Sequence, residues 1–149
     1  MSFKQPRSVL VVIYDQHHRV LVMQRLDDAN FWQSVTGSME PDEQPFDTAL
    51  REVLEETGID VATLGYQLVD CAITNQYDIR PAWRHRYAPG VTTNTEYVFC
   101  LQVKSGQTIA LSEHSDYLWL PWREAAQKVW SQTNREAIKR LAKAWGEDL

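Results

Sequence analysis

The sequence predicts an α/β protein in which a mixed central sheet carries helices on both faces. Short apolar and β-branched runs with the length of strands recur between residues 8 and 120. One amphipathic helix interrupts these runs, and two further helical segments follow them. Because each helix buries its apolar stripe against the sheet, this order favours a layered domain.

Length and composition limit the classes of protein that the sequence can represent. The 149 residues are expected to form a single domain spanning 1–149, with ordinary globular fractions of 44% hydrophobic and 23% charged residues. The net charge of -5 argues against extensive nucleic-acid binding. No apolar run reaches the roughly 18 residues of a membrane span and no secretory leader is visible, so we expect a cytoplasmic protein without a membrane partner. Cys71 and Cys100 lie in apolar runs and are predicted to be buried, reduced thiols.

Two strands and a short third one are predicted at the start of the chain. Residues 8–14 form a continuous apolar run typical of a central strand. Residues 20–25 form the second strand, in which Arg25 ends a row of otherwise apolar side chains and could reach toward a phosphate. Residues 31–37 form a short strand, with two aromatic residues at its entrance, that leads to the first helix.

The first helix is predicted between Pro45 and Gly58. Proline suits the first helical position, and glycine suits the left-handed position just past the end. The apolar residues recur at i, i+3, i+4, i+7 and i+8, which predicts one buried face. That face is predicted to consist of Phe46, Ala49, Leu50, Val53 and Leu54.

Further strands are predicted after this helix, at residues 67–74, 95–104, 109–111 and 117–120. The first two are joined by residues 75–94, a connection that is long for a compact domain. Its centre mixes arginines with aromatic residues. It is therefore either a substrate-recognition loop or an ordinary basic surface loop, and the sequence leaves both open.

Two helices are predicted at the end of the chain. Pro121 opens the first, which runs to about Trp130, and Asn134 is predicted to cap the second. Among the tryptophans, only Trp32 and Trp83 are expected near a functional cleft. The buried stripe of the last helix is predicted to contain Ile138, Leu141, Ala142 and Trp145.

A cluster of three glutamates distinguishes the first helix. Glu52, Glu55 and Glu56 are predicted to project together from the side opposite the apolar face. They occupy the end of the helix, where the dipole disfavours anions by roughly 0.3 to 1 kcal/mol each. A divalent cation would convert this repulsion into coordination, and oxygen ligands favour Mg²⁺ or Mn²⁺. Considered alone, three glutamates on a helix more often form a solvated acidic face, so the metal interpretation depends on the surrounding residues.

The residues around this cluster match a longer pattern. From Gly37 to Ile59 the chain follows the spacing G-x5-E-x7-R-E-U-x-E-E-x-G-U, in which U is an aliphatic residue. Every constrained position is filled, so the stretch closely resembles the Nudix box. The resemblance implies an α/β/α sandwich in which a loop, a helix and a second loop hold a divalent metal against a diphosphate. Members of the Nudix family hydrolyse a nucleoside diphosphate linked to another group.

Segments outside the box narrow the resemblance. Residues 31–38, 84–90, 93–100 and 112–120 resemble the bacterial dihydroneopterin triphosphate pyrophosphohydrolases, a branch of the family that acts early in folate biosynthesis. Those enzymes cleave between the α and β phosphorus atoms, release pyrophosphate and a monophosphate, and also accept deoxynucleoside triphosphates such as dATP. The resemblance therefore implies a small-molecule triphosphate as the substrate.

The family resemblance also implies roles for charged residues. The three glutamates of the cluster match metal ligands and catalytic groups. Arg51 is expected to orient a glutamate rather than to touch the substrate, and Glu43 is expected to support the loop. Glu113 lies in a polar loop between two predicted strands and is the candidate for a further metal ligand or a general base. An ordinary surface glutamate is the alternative for Glu113.

Five further residues are candidates for contacts with the substrate. Lys4, Arg25 and Thr36 match positions near the triphosphate. Tyr77 and Asp78 match positions near the bicyclic ring, where an aromatic side chain can stack and a carboxylate can pair with amino and ring N–H groups.

Other functions are compatible with parts of the sequence. A different Nudix hydrolase would sanitise oxidised nucleotides or remove RNA caps, although the net charge of -5 disfavours long contacts with RNA. A non-catalytic domain that binds a nucleotide as a regulatory ligand would tolerate the loss of its glutamates, and none is missing here. The sequence leaves open the oligomeric state, the number of metal ions and the identity of the general base.

Overall fold

The computed structural model describes residues 3–148, which contain seven strands and three α-helices. A 3₁₀ turn, Pro81–Arg86, lies in the connection between the fifth and sixth strands. The strands are β1 (Arg7–Asp15), β2 (Arg19–Arg25), β3 (Trp32–Gln33), β4 (Val35–Ser38), β5 (Leu68–Asp78), β6 (Thr93–Val103) and β7 (His114–Pro121). The helices are α1 (Pro45–Thr57), α2 (Trp122–Lys128) and α3 (Gln132–Ala144).

The sheet is mixed, as predicted. Its strand order is β3-β2-β1-β6-β5, and β4 and β7 pair with β1 and β2 respectively. β1 and β6 are parallel over nine residue pairs, whereas the other pairings are antiparallel. β1 and β2 pair only at Tyr14 and Val20, because the earlier part of β1 pairs with β4 instead. This separation of β1 from β2 lets β4 carry Gly37 into the sheet beside α1.

Helices cover both faces of the sheet, so the predicted sandwich is confirmed. Alternate residues of the central strands point to opposite faces. Val11 of β1 lies in the core under α1, whereas Val12 lies in the core under α2 and α3. On α1 the predicted boundaries are also confirmed, because Pro45 is the first helical residue and Gly58 follows the helix with a left-handed φ of 76°.

Two predictions about the later elements are wrong. Residues 109–111 form no strand; the amide of Ala110 donates to the carbonyl of Thr57 at 2.8 Å, and the neighbouring apolar side chains cover the core beneath α1. The cap of α3 is Ser131, whose Oγ accepts from the amide of Asn134 at 3.1 Å. Asn134 lies inside the helix, and its side chain binds Ser34 instead.

The connection between β5 and β6 is shorter than predicted, because residues 75–78 continue β5 and residues 93–94 begin β6. Both cysteines are free thiols, but only Cys100 is buried, and Cys71 is half-buried beside the bulge of β5. No helix among residues 3–148 is long and apolar enough to cross a membrane.

Candidate active site

The orientation of α1 differs from the predicted one. Glu52 and Glu56 are buried, whereas Phe46 and Leu54 are 44% and 47% exposed. The predicted burial is therefore wrong for these four residues. The reason is that α1 packs against β4 as well as β1, which turns part of its charged side inward. Local amphipathic patterns are most often overridden at functional sites, and these two carboxylates meet that description.

Gly37 makes room for one of the buried carboxylates. A β-carbon at this position of β4 would overlap the carboxyl group of Glu52. The first glycine of the box is therefore required for a close approach between the strand and the helix side chain. Gly37 is required because a side chain would not fit there, and not for its backbone conformation, since Gly37 is not among the glycines with a left-handed φ.

Arg51 connects the loop before α1 to the glutamates of the helix. Its guanidinium donates from Nε and Nη2 to the two oxygens of Glu43, at 2.8 Å each, and from Nη1 to Glu52 at 2.7 Å. It also lies 3.3 Å from Glu55 and donates to the carbonyl of Ser38 at 3.1 Å. The hydrogen bonds from Arg51 lower the pKa of Glu43 to about 2. These contacts match the orienting role expected for Arg51, which stays a prediction.

Glu56 is the least satisfied group of the site. It is 1% exposed, and neither carboxyl oxygen has a hydrogen-bond partner among the described residues. Burial, followed by the adjacent Glu52, raises the pKa of Glu56 well above its ordinary value of 4.5. Burial raises the pKa of Glu52 as well. An unpaired buried carboxylate is costly, so this position favours a bound cation.

The donors at the site fit a divalent metal. Glu52 and Glu56 supply buried oxygen atoms, which suit Mg²⁺ or Mn²⁺. Glu55 is exposed and paired with Arg51. Within residues 3–148 no three acidic, histidine or cysteine side chains already stand at the spacing of a metal site. An ion would therefore have to draw the candidate carboxylates together.

Lys4, Thr36 and Glu113 lie close enough to the two buried carboxylates to interact with them electrostatically. The charge of Glu113 contributes to the raised pKa of Glu56, and the backbone of Thr36 opposes that rise. Desolvation and two nearby arginines lower the pKa of Lys4, while the charges of Glu52 and Glu113 oppose the change. These three predicted residues are thus within electrostatic range of the box, on separate elements of the fold.

Arg25 lies at the end of β2, as predicted. Its guanidinium pairs with Asp27 at 2.6 Å and lies 4.9 Å from the centre of the Trp83 ring. Its Nη1 also donates to Oε1 of Gln33 at 3.4 Å. Hydrogen bonding to Asp27 raises the pKa of Arg25. A phosphate at this position would compete with Asp27 for the guanidinium.

Tyr77 and Asp78 end β5. The Tyr77 hydroxyl accepts from Nδ2 of Asn94 at 3.1 Å, and that nitrogen also donates to Oγ of Ser8 at 2.8 Å. Burial, followed by the charge of Glu96, raises the pKa of Tyr77 to about 12. Asp78 is exposed. In the described part of the chain, no hydrogen bond joins either residue to a box glutamate.

An aromatic cluster anchors the connection between β5 and β6. Phe31 stacks on Trp130 with ring centres 4.9 Å apart, and Trp83 meets Trp130 edge-on at 5.4 Å. The guanidinium of Arg80 lies 5.0 to 5.6 Å from all three ring centres. Arg25 contacts the Trp83 ring from the side of β2. We call these five residues, Arg25, Phe31, Arg80, Trp83 and Trp130, the Trp83 cluster. The connection is therefore held by packing and cation–π contacts.

Trp32, which was expected near a functional cleft, lies outside this cluster. It packs in the core beneath α2 and α3, with the ammonium of Lys128 4.8 Å from its ring centre. Trp130, which the sequence pattern placed only at a helix end, belongs to the cluster instead.

Gln33 and His114 also lie at the site, although the sequence did not identify them as functional residues. The nitrogen Nε2 of His114 lies 3.4 Å from Nε2 of Gln33, and its Nδ1 lies 3.8 Å from Oε1 of Glu56. Burial, followed by the charge of Arg25, lowers the pKa of His114 and favours a neutral imidazole. The two residues stand 81 positions apart, so no local pattern could have paired them. The adjacency of His114 to Glu113 was the one available signal.

Known proteins share both the sequence and this architecture. A family profile described as NUDIX domain matches residues 4–141. The dihydroneopterin triphosphate diphosphatase of Escherichia coli K12 is 49% identical over 140 residues, which cover 93% of each protein. Its counterpart in Haemophilus influenzae is 43% identical over 94% of this chain and 89% of that protein. A solved structure of the E. coli dihydroneopterin triphosphate pyrophosphohydrolase superposes with a TM-score of 0.90, at 48% identity, over 94% of this chain and 97% of the other.

Proposed function

The chain belongs to the Nudix domain family, and from this premise we propose that it hydrolyses dihydroneopterin triphosphate to the monophosphate and pyrophosphate. The observation that carries the proposal is the identity of 49% to a dihydroneopterin triphosphate diphosphatase over nearly the whole of both chains. The buried pair of box carboxylates supports the same conclusion, because a polyphosphate hydrolase needs a cation at that point.

Nudix hydrolases require a divalent metal ion. We propose Mg²⁺ for this protein, with Mn²⁺ as a substitute. When bound, the ion neutralises phosphate charge and assists the attack of water. Glu52 and Glu56 would hold it, with Glu55 and Glu113 as further candidates. Arg51 keeps Glu52 in place through the contact at 2.7 Å.

The cationic residues around the carboxylates suit the leaving group. Arg25 and Lys4 would stabilise the charge that develops on pyrophosphate. Release of Asp27 from Arg25 would accompany binding of the triphosphate. Glu113 is our candidate for the base that accepts a proton from the attacking water.

The bond that breaks can be identified with labelled water. One water molecule adds to a phosphorus atom, the α–β bridging bond breaks, and the products are a monophosphate and pyrophosphate. In H₂¹⁸O, attack at the α phosphorus places the label in the monophosphate, and attack at the β phosphorus places it in pyrophosphate. Either result agrees with the proposal. Release of orthophosphate as the only small product contradicts it.

The preferred substrate follows from a comparison of kcat/KM values with Mg²⁺. The panel contains dihydroneopterin triphosphate, the common deoxynucleoside triphosphates including dATP, an oxidised nucleotide and a capped dinucleotide. We expect the pterin triphosphate to have the highest value and dATP to be a weaker substrate. A higher value for the oxidised nucleotide or the cap would reassign the protein within its family. Absence of turnover for every triphosphate would leave only a binding function.

A further inference from the structure

A buried chain of polar side chains reaches Glu56 independently of Arg51. It begins at Trp130 in the Trp83 cluster and passes through Gln33 and His114 to Oε1 of Glu56. Gln33, His114 and Glu56 are all buried. We call this the Gln33–His114 chain. Because Gln33 and His114 lie away from water, their donors and acceptors are satisfied mainly by other groups of the protein.

The orientation of the Gln33 amide is determined by two groups that can only donate. Its Oε1 lies 3.1 Å from Nε1 of Trp130 and 3.4 Å from Nη1 of Arg25. An indole and a guanidinium carry no acceptor, so the atom that faces them must be the amide oxygen. Reversal of the amide would set its N–H groups against two other donors. The amide nitrogen therefore faces His114.

The orientation of Gln33 in turn determines where His114 carries its proton. The Gln33 nitrogen can only donate, so Nε2 of His114, 3.4 Å away, must accept. A proton on Nε2 would place two donors against each other, which excludes both the Nε2–H tautomer and the imidazolium. The single proton of the imidazole is then on Nδ1. That atom is buried, has no hydrogen-bond partner within residues 3–148, and lies 3.8 Å from Oε1 of Glu56.

We propose that His114 is a positioning residue for Glu56, because Gln33 holds it in the Nδ1–H tautomer and Nδ1–H donates to Oε1 of Glu56. The proposal rests on the metal-binding role given above to Glu56. The separation of 3.8 Å exceeds a hydrogen bond, and such contacts in ligand-free enzymes commonly shorten when the site fills. The donor restrains one carboxyl oxygen, so that the other is presented to the ion.

Hydrogen bonds behind a ligand orient it, and their removal typically costs about 10- to 100-fold in metal affinity or activity. The arrangement also connects the active site to the Trp83 cluster. Trp130 contacts Trp83 on the connection between β5 and β6, and it donates to the same Gln33 that orients His114. A movement of the connection that shifts Trp130 would therefore shift the Gln33 amide and, through His114, the position of the Glu56 carboxyl group.

The tautomer can be measured without metal, substrate or activity. The ¹⁵N spectrum of the imidazoles, with His114 assigned by its loss in His114→Asn, reports which nitrogen is protonated. We expect an Nδ1–H imidazole in the wild type and a mixture of tautomers in Gln33→Met, which lacks the donor. A wild-type His114 protonated on Nε2 would overturn the proposal even if the enzyme hydrolyses the pterin substrate as proposed.

Two substitutions of His114 separate positioning from packing. The amide of Asn can place a donor where Nδ1 lies, whereas the longer Gln reaches the place of Nε2. In titrations with Mn²⁺ alone, followed by electron paramagnetic resonance, we expect His114→Asn to bind within about threefold of the wild type and His114→Gln to bind about 10- to 100-fold more weakly. Equal losses in the two variants would show a packing role and overturn the proposal.

Failure of the proposed function gives a different result. If Glu56 is not a ligand, then Glu56→Gln leaves Mn²⁺ binding unchanged, whereas the tautomer of His114 is still Nδ1–H. Thermal melts followed by circular dichroism establish that each variant is folded. The tautomer measurement is made on the wild type. The only variant that it requires to fold is His114→Asn, which assigns the signal.

Discussion

Glu56 combines three unfavourable conditions at one residue. It lies near the negative end of α1, it follows Glu52 at i+4, and it is buried without a hydrogen-bond partner in the described part of the chain. Burial, followed by the neighbouring Glu52, raises the pKa of Glu56, and this shift has a predictable effect on stability. A carboxyl group whose pKa is higher in the folded protein stabilises it below the ordinary pKa of 4.5, and this contribution is lost as pH rises through the higher value.

Substitution of Glu56 by Gln should separate stability from activity. In EDTA at pH 8, we expect the variant to be more stable by roughly 0.3 to 1 kcal/mol from the dipole and the like-charge pair, with relief of burial acting in the same direction. The decline of stability above pH 4.5 should be shallower than in the wild type. With Mg²⁺, kcat should fall by about a hundredfold or more. Thermal melts across this pH range and steady-state assays measure both effects.

The matched control for this prediction is Glu55→Gln. Glu55 is exposed and only loosely paired with Arg51, so its neutralisation should change stability by no more than about 0.5 kcal/mol. A Glu56→Gln variant that melts below the wild type in EDTA at pH 8 would mean that the carboxylate is already stabilised in the free protein.

Gly37 provides a second prediction at the scale of a single residue. In Gly37→Ala the new methyl group meets the Glu52 carboxyl, which must leave its buried place because Gly37 is paired with Val9 in the sheet. We expect kcat/KM to fall by about 100-fold, while the free energy of unfolding changes by only about 1 kcal/mol. Ser38→Ala, one position further along β4, is the control and should keep its activity. Equal activity in the two variants would show that Glu52 tolerates displacement.

At the scale of elements, α1 shows what the sequence could predict and what it could not. Pro45 and Gly58 define the ends of the helix by their own backbone preferences, so the boundaries follow from local chemistry. The identity of the buried face does not follow from local chemistry, because it depends on the packing of α1 against β4. The apolar pattern within the helix contains no information about that strand. Periodicity alone favours Phe46 and Leu54 over Glu52 and Glu56, and the structure reverses that choice.

The connection between β5 and β6 carries a prediction about substrate affinity. Removal of the Trp83 ring loosens the cluster around Arg80 and Trp130, and an aromatic pair of this kind is worth about 0.5 to 1.5 kcal/mol. We expect Trp83→Ala and Tyr77→Ala each to raise the KM for dihydroneopterin triphosphate about 2- to 10-fold with little loss of kcat, because such contacts bind the substrate and the transition state alike.

The control for both variants is His85→Ala, on the 3₁₀ turn that also carries Trp83. His85 is exposed and its Nδ1 lies 3.1 Å from the carbonyl oxygen of Ala82, so the KM of His85→Ala should match that of the wild type. If KM is unchanged in all three variants, the connection is an ordinary surface segment, which was the second possibility left open by its sequence.

At the scale of the whole molecule, the sheet was predictable and the chain of contacts behind the site was not. The strands are apolar runs, and a run such as residues 8–14 shows its character locally. The contact between Gln33 and His114 exists only because β2 pairs with both β3 and β7, which brings two distant positions together. Neither residue carries a local sign of that pairing, so polar networks across strands require the structure.

The central sheet should also dominate stability. Leu101 of β6 is 0% exposed in the core under α1, so Leu101→Ala leaves a cavity and should cost about 2 to 5 kcal/mol. Val69 of β5 is 46% exposed, and Val69→Ala should change stability by no more than about 0.5 kcal/mol. Urea denaturation measures both values. Similar losses in the two variants would mean that the edge strand contributes as much as the core.

The parallel pairing of β1 with β6 has a consequence for the biosynthesis of the chain. β1 leaves the ribosome before β6, and this partner is made only after roughly ninety further residues, which takes on the order of 4 to 18 seconds at about 5 to 20 residues per second. During that interval the nascent chain exposes the apolar run of β1, with the parallel edge still unpaired. Other nascent chains and chaperones compete for this edge. Slower translation of the segment before β6 should therefore increase the fraction of newly made protein that aggregates, without any change in the stability of the finished molecule.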